Sequence, residues 1–324
     1  MALITCILSL FILAAAVAPA CAVNCYAFPH SRVVKVSNTN ELDRAIRASK
    51  AGDLIMMASG SYSSVIRGGG YRHLWFENKK GTKKRPITLC GPRSAILDGK
   101  DDKNNYVLRI YKSSYINIAG ITVQNGLKGI IMQTVDHCKI DSCMVRNFAK
   151  EAVHIQYNSH FNIIIRNTIL NTGRKSPGNG EGVYLGSDNQ RGKDPNTRNH
   201  ILYNTIGPGV TAEMIDIKEY SSDAIIKGNI LDGRDLCGCK YAFSLISVKG
   251  NNYQILGNIG KNAKEHMFKV AVTNNRNQGK NNYFSSNKCL GRLRSGFKCV
   301  SVPQAMHGLP NRVACGQKTN TRCG

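Results

Sequence analysis

The chain has 324 residues, with 44 Lys and Arg against 20 Asp and Glu, a formal charge of +24, and 12 cysteines. A charge that large calls for a polyanionic partner. The basic residues are spread along the chain and no nucleic-acid-binding motif is present, so acidic polysaccharide fits better than nucleic acid, and no apolar run beyond the leader approaches the length of a membrane span.

The first 22 residues carry no charged side chain, hold an apolar core from Ile7 to Val17, and end in Ala20, Cys21 and Ala22. This is the pattern of a signal peptide cut after Ala22, and it predicts a secreted protein, expected to be a monomer. Ten cysteines remain, and an even number in an exported chain implies disulfides. Cys237 and Cys239 are too close for an easy mutual bridge, so each is expected to have a distant partner. The CxxC pairs that a zinc site usually needs are missing.

From Val33 onward the sequence predicts a short helix capped by Asn40, with Leu42, Ala45, Ile46 and Ala48 on its apolar side. Gly52 and Asp53 end it, and Leu54–Met57 follows as a first strand. Beyond residue 100 the text repeats. An element of the form apolar-x-x-Asn-x-apolar recurs in IIIRNTIL, ILYNTI, IIKGNIL, ILGNIG and FSSNKCL, with Asn167, Asn204, Asn229, Asn258 and Asn287 at spacings of 37, 25, 29 and 29 residues. Cys143 takes the equivalent place 24 residues before Asn167. Short strands and turns repeating at this period mark a solenoid. The asparagines are turn residues that stack up its axis and tolerate a left-handed backbone. Residues 23–290 are read as the solenoid, and the cysteine-rich segment 291–324 as its C-terminal cap.

A second family of strands lies on the same repeat: EAVHIQ, GEGVYLGS, AEMIDIKE and SLISVKG. Period-two alternation turns Val153 and Ile155, Val183 and Leu185, Ile215 and Ile217, Ile246 and Val248 inward. The opposite face then carries His154, Tyr184, Asp216 and Ser247 in one row, and Gln156, Gly186, Lys218 and Lys249 in the next. Glu151, Glu181 and Glu213 fall at one position in three successive coils. Like charges stacked at strand spacing need compensation, either from lysines and arginines or from a hard cation. Glu181, Glu213 and Asp216 offer the oxygen ligands that calcium takes. Tyr184 offers a ring to stack on a sugar, beside His154, and Arg234, in a loop after the key strand, is a candidate carboxylate clamp.

This layout resembles the right-handed parallel β-helix polysaccharide lyases. The resemblance rests on the helical cap feeding the first strand, the asparagine turns, and Glu213, Asp216 and Lys218 in AEMIDIKE followed one coil on by Lys249. It is nearest to the lysine-base lyases of the alginate lyase and chondroitinase B type. It implies an all-β fold, a single-stranded right-handed parallel β-helix with an N-terminal helical cap and a disulfide-bonded C-terminal cap. It further implies β-elimination on a uronate-containing polysaccharide such as pectate or alginate, with Lys218 as base, its pKa pushed down by the neighbouring Lys249 and pulled the other way by Asp216 unless calcium takes up that charge. Lys249 would be a second basic group, where those enzymes typically carry arginine, and Glu213, Asp216 and Glu181 would bind calcium. The paired aspartates and Gly-His-Gly segment of the related pectin hydrolases are missing. A basic β-helix that binds acidic glycans of a wall or matrix without catalysis is the alternative. It needs only diffuse charge and not Lys218.

Overall fold

The computed structural model describes residues 23–63, 74–102, 106–188, 192–239, 242–271, 278–291, 295–302 and 311–314. The leader read as a signal peptide, Cys315, Cys323 and most of the predicted C-terminal cap lie outside them. Among the described residues the strands form three parallel sheets of eleven, nine and nine strands, with one isolated two-stranded pair. Sheet I begins with Arg32–Val36, sheet II with Gly60–Ser63 and sheet III with Leu74–Glu77. One coil visits each sheet once. His200–Leu202 lies in sheet I, Thr205–Ile206 in sheet II and Ile215–Ile217 in sheet III, before Ile225–Lys227 returns to sheet I. Consecutive coils are therefore one strand spacing apart, about 4.8 Å.

The core is the inside of this coil. Val153, Ile155, Val183, Leu185, Ile215, Ile217, Ile246 and Val248 are all buried, each stabilising the fold by about 1.5–3 kcal/mol over an exposed position. Their pairing is in register, Val153 to Val183 to Ile215 to Ile246, as the alternation predicts.

The N-terminal helix spans Thr39–Ala48, and its cap is Asn38 rather than Asn40. The Asn38 side chain accepts from the Glu41 backbone N–H at 3.0 Å, and Glu41 reaches back to the Ser37 N–H at 2.8 Å. That reciprocal pair is a capping box one step earlier than a lone asparagine suggests. The strand after it, Asp53–Met57, is the second in sheet I and not the first.

The asparagine stack is present. Each side-chain N–H2 donates to the next Oδ1 at 2.9–3.0 Å, from Asn167 through Asn204, Asn229 and Asn258 to Asn287. Cys143 starts the row, its backbone N–H donating to Asn167 Oδ1 at 2.8 Å. The left-handed residue is not the asparagine but its predecessor: Arg166, Tyr203, Gly228, Gly257 and Ser286 have φ between 54° and 66°. A second buried row, Asn162 on Asn199 and Asn282 on Asn311, is harder to see in sequence because Tyr253 takes a rung between them.

Among the described residues, three disulfides join Cys25 to Cys90, Cys237 to Cys239, and Cys289 to Cys299. The second corrects the expectation of distant partners. The turn at Gly238, with φ 65°, folds the two cysteines back on each other, Cα atoms 5.2 Å apart. Cys138 and Cys143 are buried free thiols, so the even cysteine count does not mean that all of them are bridged. No helix among the described residues is long and apolar enough to cross a membrane.

Candidate active site

The site is the outer face of sheet III, where side chains from adjacent coils line up in register. Tyr184 pairs with Asp216, and Asp216 with Ser247. This face is a covered floor and not an open surface. His154, Gln156, Asp216 and Ser247 are all buried.

Asp216 is the hub. Its Oδ2 lies 2.9 Å from Lys218 Nζ and its Oδ1 2.5 Å from Lys249 Nζ. Lys249 also donates to Ser247 Oγ at 3.2 Å. Burial opposes ionisation of Asp216, but the charges of Lys249 and Lys218 outweigh it and hold the carboxyl at about 2. Burial likewise works against the Lys218 ammonium, yet Asp216 outweighs it and raises its pKa above the ordinary lysine value. This departs from the expectation that Lys249 depresses Lys218. The carboxylate sits between the two amines and sets the balance.

Glu181, Glu213 and Asp216 each present an oxygen within 4.8 Å of the others, and all three are buried. Burial, with repulsion from Asp216, pushes Glu181 up to about 8 and Glu213 up to about 7. Two carboxyls at that cost, beside a third that is ionised, form an all-oxygen donor set short of positive charge, which is what a calcium ion relieves. The residues fit calcium, with Asp216 shared between the ion and its two lysines.

Glu151 stands in the same stack but leaves the acidic group. Its carboxylate takes Lys128 at 2.6 Å and His154 Nδ1 at 3.1 Å. Burial raises its pKa, and His154 and Lys128 bring it down to about 2. Sequence reading passed over Lys128. It precedes Ile130 as Glu151 precedes Val153, and those two strands pair in register, so extending the alignment one coil back would have found it.

His154 is buried and bridged. Its Nδ1 faces Glu151 and its Nε2 lies 2.9 Å from the Gly186 carbonyl. It meets the Tyr184 ring edge-on at 4.4 Å. Lys218 Nζ lies 5.1 Å from the centre of the same Tyr184 ring. Burial raises the Tyr184 phenol, which stays an O–H donor. Gly186, in the outward row below Lys218, has φ 94°, and a Cβ there would lie 3.0 Å from Lys218 Cβ and 2.9 Å from Ser221 Oγ. Glycine at this point leaves room for the lysine. A groove of about 480 Å³ opens beside these groups, lined by Lys128, Lys150, His154, Glu181, Tyr184 and others. Arg234 is not brought to this cluster. It forks onto Asp232 at 3.0 and 2.5 Å.

No family model matches the chain, and no curated protein matches it. Among solved structures, an alginate lyase from Paenibacillus sp. str. FPU-7 aligns with a TM-score of 0.78 at 29% identity, covering 90% of this chain and 96% of that one. Pectate lyase Pel9A aligns with a TM-score of 0.62 at 15% identity, covering 90% and 79%. Pectate lyase Bsp165PelA from Bacillus sp. N165, solved with trigalacturonate, aligns at 0.55 and 10% identity, covering 86% and 89%. The last two likenesses speak for the fold alone. With its three-sheet coil and its likeness to that alginate lyase over nine tenths of its length, the chain is a polysaccharide lyase with the parallel β-helix fold.

Proposed function

We propose that the protein is a secreted lyase that cleaves a uronate-containing polysaccharide by β-elimination at the Asp216 cluster, with Lys218 as base. The observation that carries this is the arrangement of two lysines and two further carboxylates around Asp216, beside a neutral phenol. Elimination removes the proton on C5 of the uronate, forms the C4–C5 double bond and expels the O4 oxygen. Lys218 Nζ takes the C5 proton, and the Tyr184 O–H gives its proton to the departing O4. The raised phenol of Tyr184 and its place beside Lys218 favour an acid over a stacking platform. After product leaves, the proton held by Lys218 passes to solvent and Tyr184 is reprotonated from solvent.

Calcium, when bound by Glu181, Glu213 and Asp216, supplies positive charge to the substrate carboxylate and draws on the Asp216 charge that otherwise keeps Lys218 protonated. Lys249 adds a second cation against that carboxylate. Buried His154 supports the floor through the Gly186 carbonyl and is a positioning residue rather than a sugar contact. Arg234, held by Asp232, is left out of substrate binding. Of the uronates, alginate is the first to test, because the neighbour at 29% identity is an alginate lyase.

The test is near-ultraviolet absorbance on mixing with alginate, pectate and glucuronan, with calcium or chelator. Absorbance from the new double bond is expected on one polymer, falling by about 10²–10⁴ in Lys218→Ala and falling again under chelator. A flat trace on every polymer with binding retained would leave a glycan-binding solenoid instead.

A further inference from the structure

A second groove lies away from Asp216. It lies on sheet I, about 720 Å³ in volume, and runs from Arg198 to Arg312. Its floor is one register row from successive coils, His200, Ile225, Gln254, Tyr283 and Arg312. Its rim is the row of left-handed turn residues Arg198, Asp223, Asn252 and Asn281. Five coils give it a length of roughly 19 Å.

The two arginines at its ends are held by rings. The Arg198 guanidinium lies 5.2 Å from the Phe161 ring centre and that of Arg312 5.7 Å from Tyr283. Neither has a carboxylate partner among the described residues. Both are exposed. Asp223, the one acid in the lining, is engaged by Ser222 Oγ and Asn252 Nδ2. His200 Nδ1 accepts from the Ile225 N–H at 3.0 Å, so its proton sits on Nε2 and makes it a donor, and burial holds the ring neutral by lowering its pKa. Between the cations the groove therefore presents amides, an imidazole N–H and a phenol ring.

We propose that this groove is a second, non-catalytic site for a chain of acidic polysaccharide, held by Arg198 and Arg312 on carboxylates and by the groups between them on sugar hydroxyls and a ring face. The assignment rests on the reading that acidic polysaccharide is the substrate. A single nucleic acid strand is held by successive aromatic platforms for its bases beside its cations, whereas this groove offers the ring of Tyr283 and the amides of Asn252, Gln254 and Asn281, which suit sugar hydroxyls. The Ile225, Gln254 and Tyr283 coils offer no cation in the lining.

The experiment uses affinity electrophoresis of the Lys218→Ala protein through gels containing alginate, polygalacturonate or DNA, with and without Arg198→Ala and Arg312→Ala. Retention by the polyuronate is expected to weaken about tenfold when both arginines are removed, the loss of two charge-assisted contacts, and to be kept by the paired Arg→Lys changes. In the Lys218 enzyme the double alanine variant should keep its rate on a short oligouronate and lose several-fold on polymer. Unchanged retention and an unchanged polymer rate would overturn the second site while leaving the lyase reading intact. No retention of the Lys218→Ala protein on any polyuronate would instead strike the substrate reading itself. Retention by DNA alone, lost with the two arginines, would assign the groove to nucleic acid and overturn the proposal.

Discussion

Glu151 and Asp216 are both buried acids, and each is kept ionised by two nitrogen neighbours from its own and adjacent coils, Lys128 and His154 for the first, Lys218 and Lys249 for the second. The difference lies in what else they touch. Asp216 is crowded by Glu181 and Glu213, whereas Glu151 is served by Lys128 and His154 and has become a structural ion pair. Its pKa of about 2 lies below the ordinary carboxylate value of 4.5. The unfolded chain therefore binds a proton where the folded chain does not, and Glu151 contributes stability above pH 4.5 that is lost as pH falls toward 2. Replacing Lys128 with Met should shrink that loss, read as a shallower fall of thermal midpoint between pH 5 and 3 than in the parent. A parallel fall in both proteins would remove Glu151 from the account. Sequence alone brought Lys218, Lys249, Asp216, Tyr184 and His154 to one face because period-two alternation and strand register are enough to do so. It set Asp216 against Lys249 in their pull on Lys218 but did not decide between them, because the placing of the carboxylate between the two amines depends on rotamers and not on register. Nor did it exclude Arg234, whose partner Asp232 is two residues away in the same turn.

At the scale of elements, the asparagine row is the best-written feature of the sequence, because one residue type recurs with apolar neighbours on both sides. Asn229 shows what it does. Its Oδ1 accepts from the Asn204 backbone N–H at 2.9 Å and side chain at 3.0 Å, and its Nδ2 donates to the Ile201 carbonyl at 3.0 Å. Asn229→Ala strands a buried donor and a buried acceptor, each costing about 1–3 kcal/mol. The variant is expected to lose about 2–5 kcal/mol in denaturant unfolding, against well under 1 kcal/mol for Ala at the exposed Asn252 of the outer rim. Equal losses would mean the row is ornamental. The turn geometry was less legible. The left-handed position falls to Arg166 and Tyr203 as readily as to Gly228 and Gly257, so no residue type flags it. The bridge between Cys237 and Cys239 was hidden for a similar reason: it depends on a turn at Gly238 that spacing does not disclose.

For the whole molecule, the two ends are secured differently from the middle. Cys25 joins Cys90 across 65 residues of sequence and pins the N-terminal segment to sheet I. A loop of that size gives the cross-link about 4 kcal/mol through the unfolded state. Cys25→Ser with Cys90→Ser should lower the denaturation midpoint accordingly while leaving lyase activity at room temperature in place, because the Asp216 cluster is coils away. Loss of activity at full retained stability would count against that separation. The middle has no such tie among the described residues. Cys138 and Cys143 lie in it unpaired, and burial pushes both thiols up to about 12.

The asparagine row also has a direction. Every rung offers a backbone N–H and an amide N–H2 toward higher residue numbers and receives both on a single oxygen from the coil before. The row opens at Cys143, which sends forward its backbone N–H alone, and Asn287 carries the same donor pair as the rungs behind it. The molecule thus resembles a polymer with a primed end. A duplicated coil inserted after Asn287 meets the donors it needs, and one inserted ahead of Cys143 does not. Lengthening of such a chain by repeat gain is then favoured on the C-terminal side of Lys218, where it adds groove without moving the chemistry.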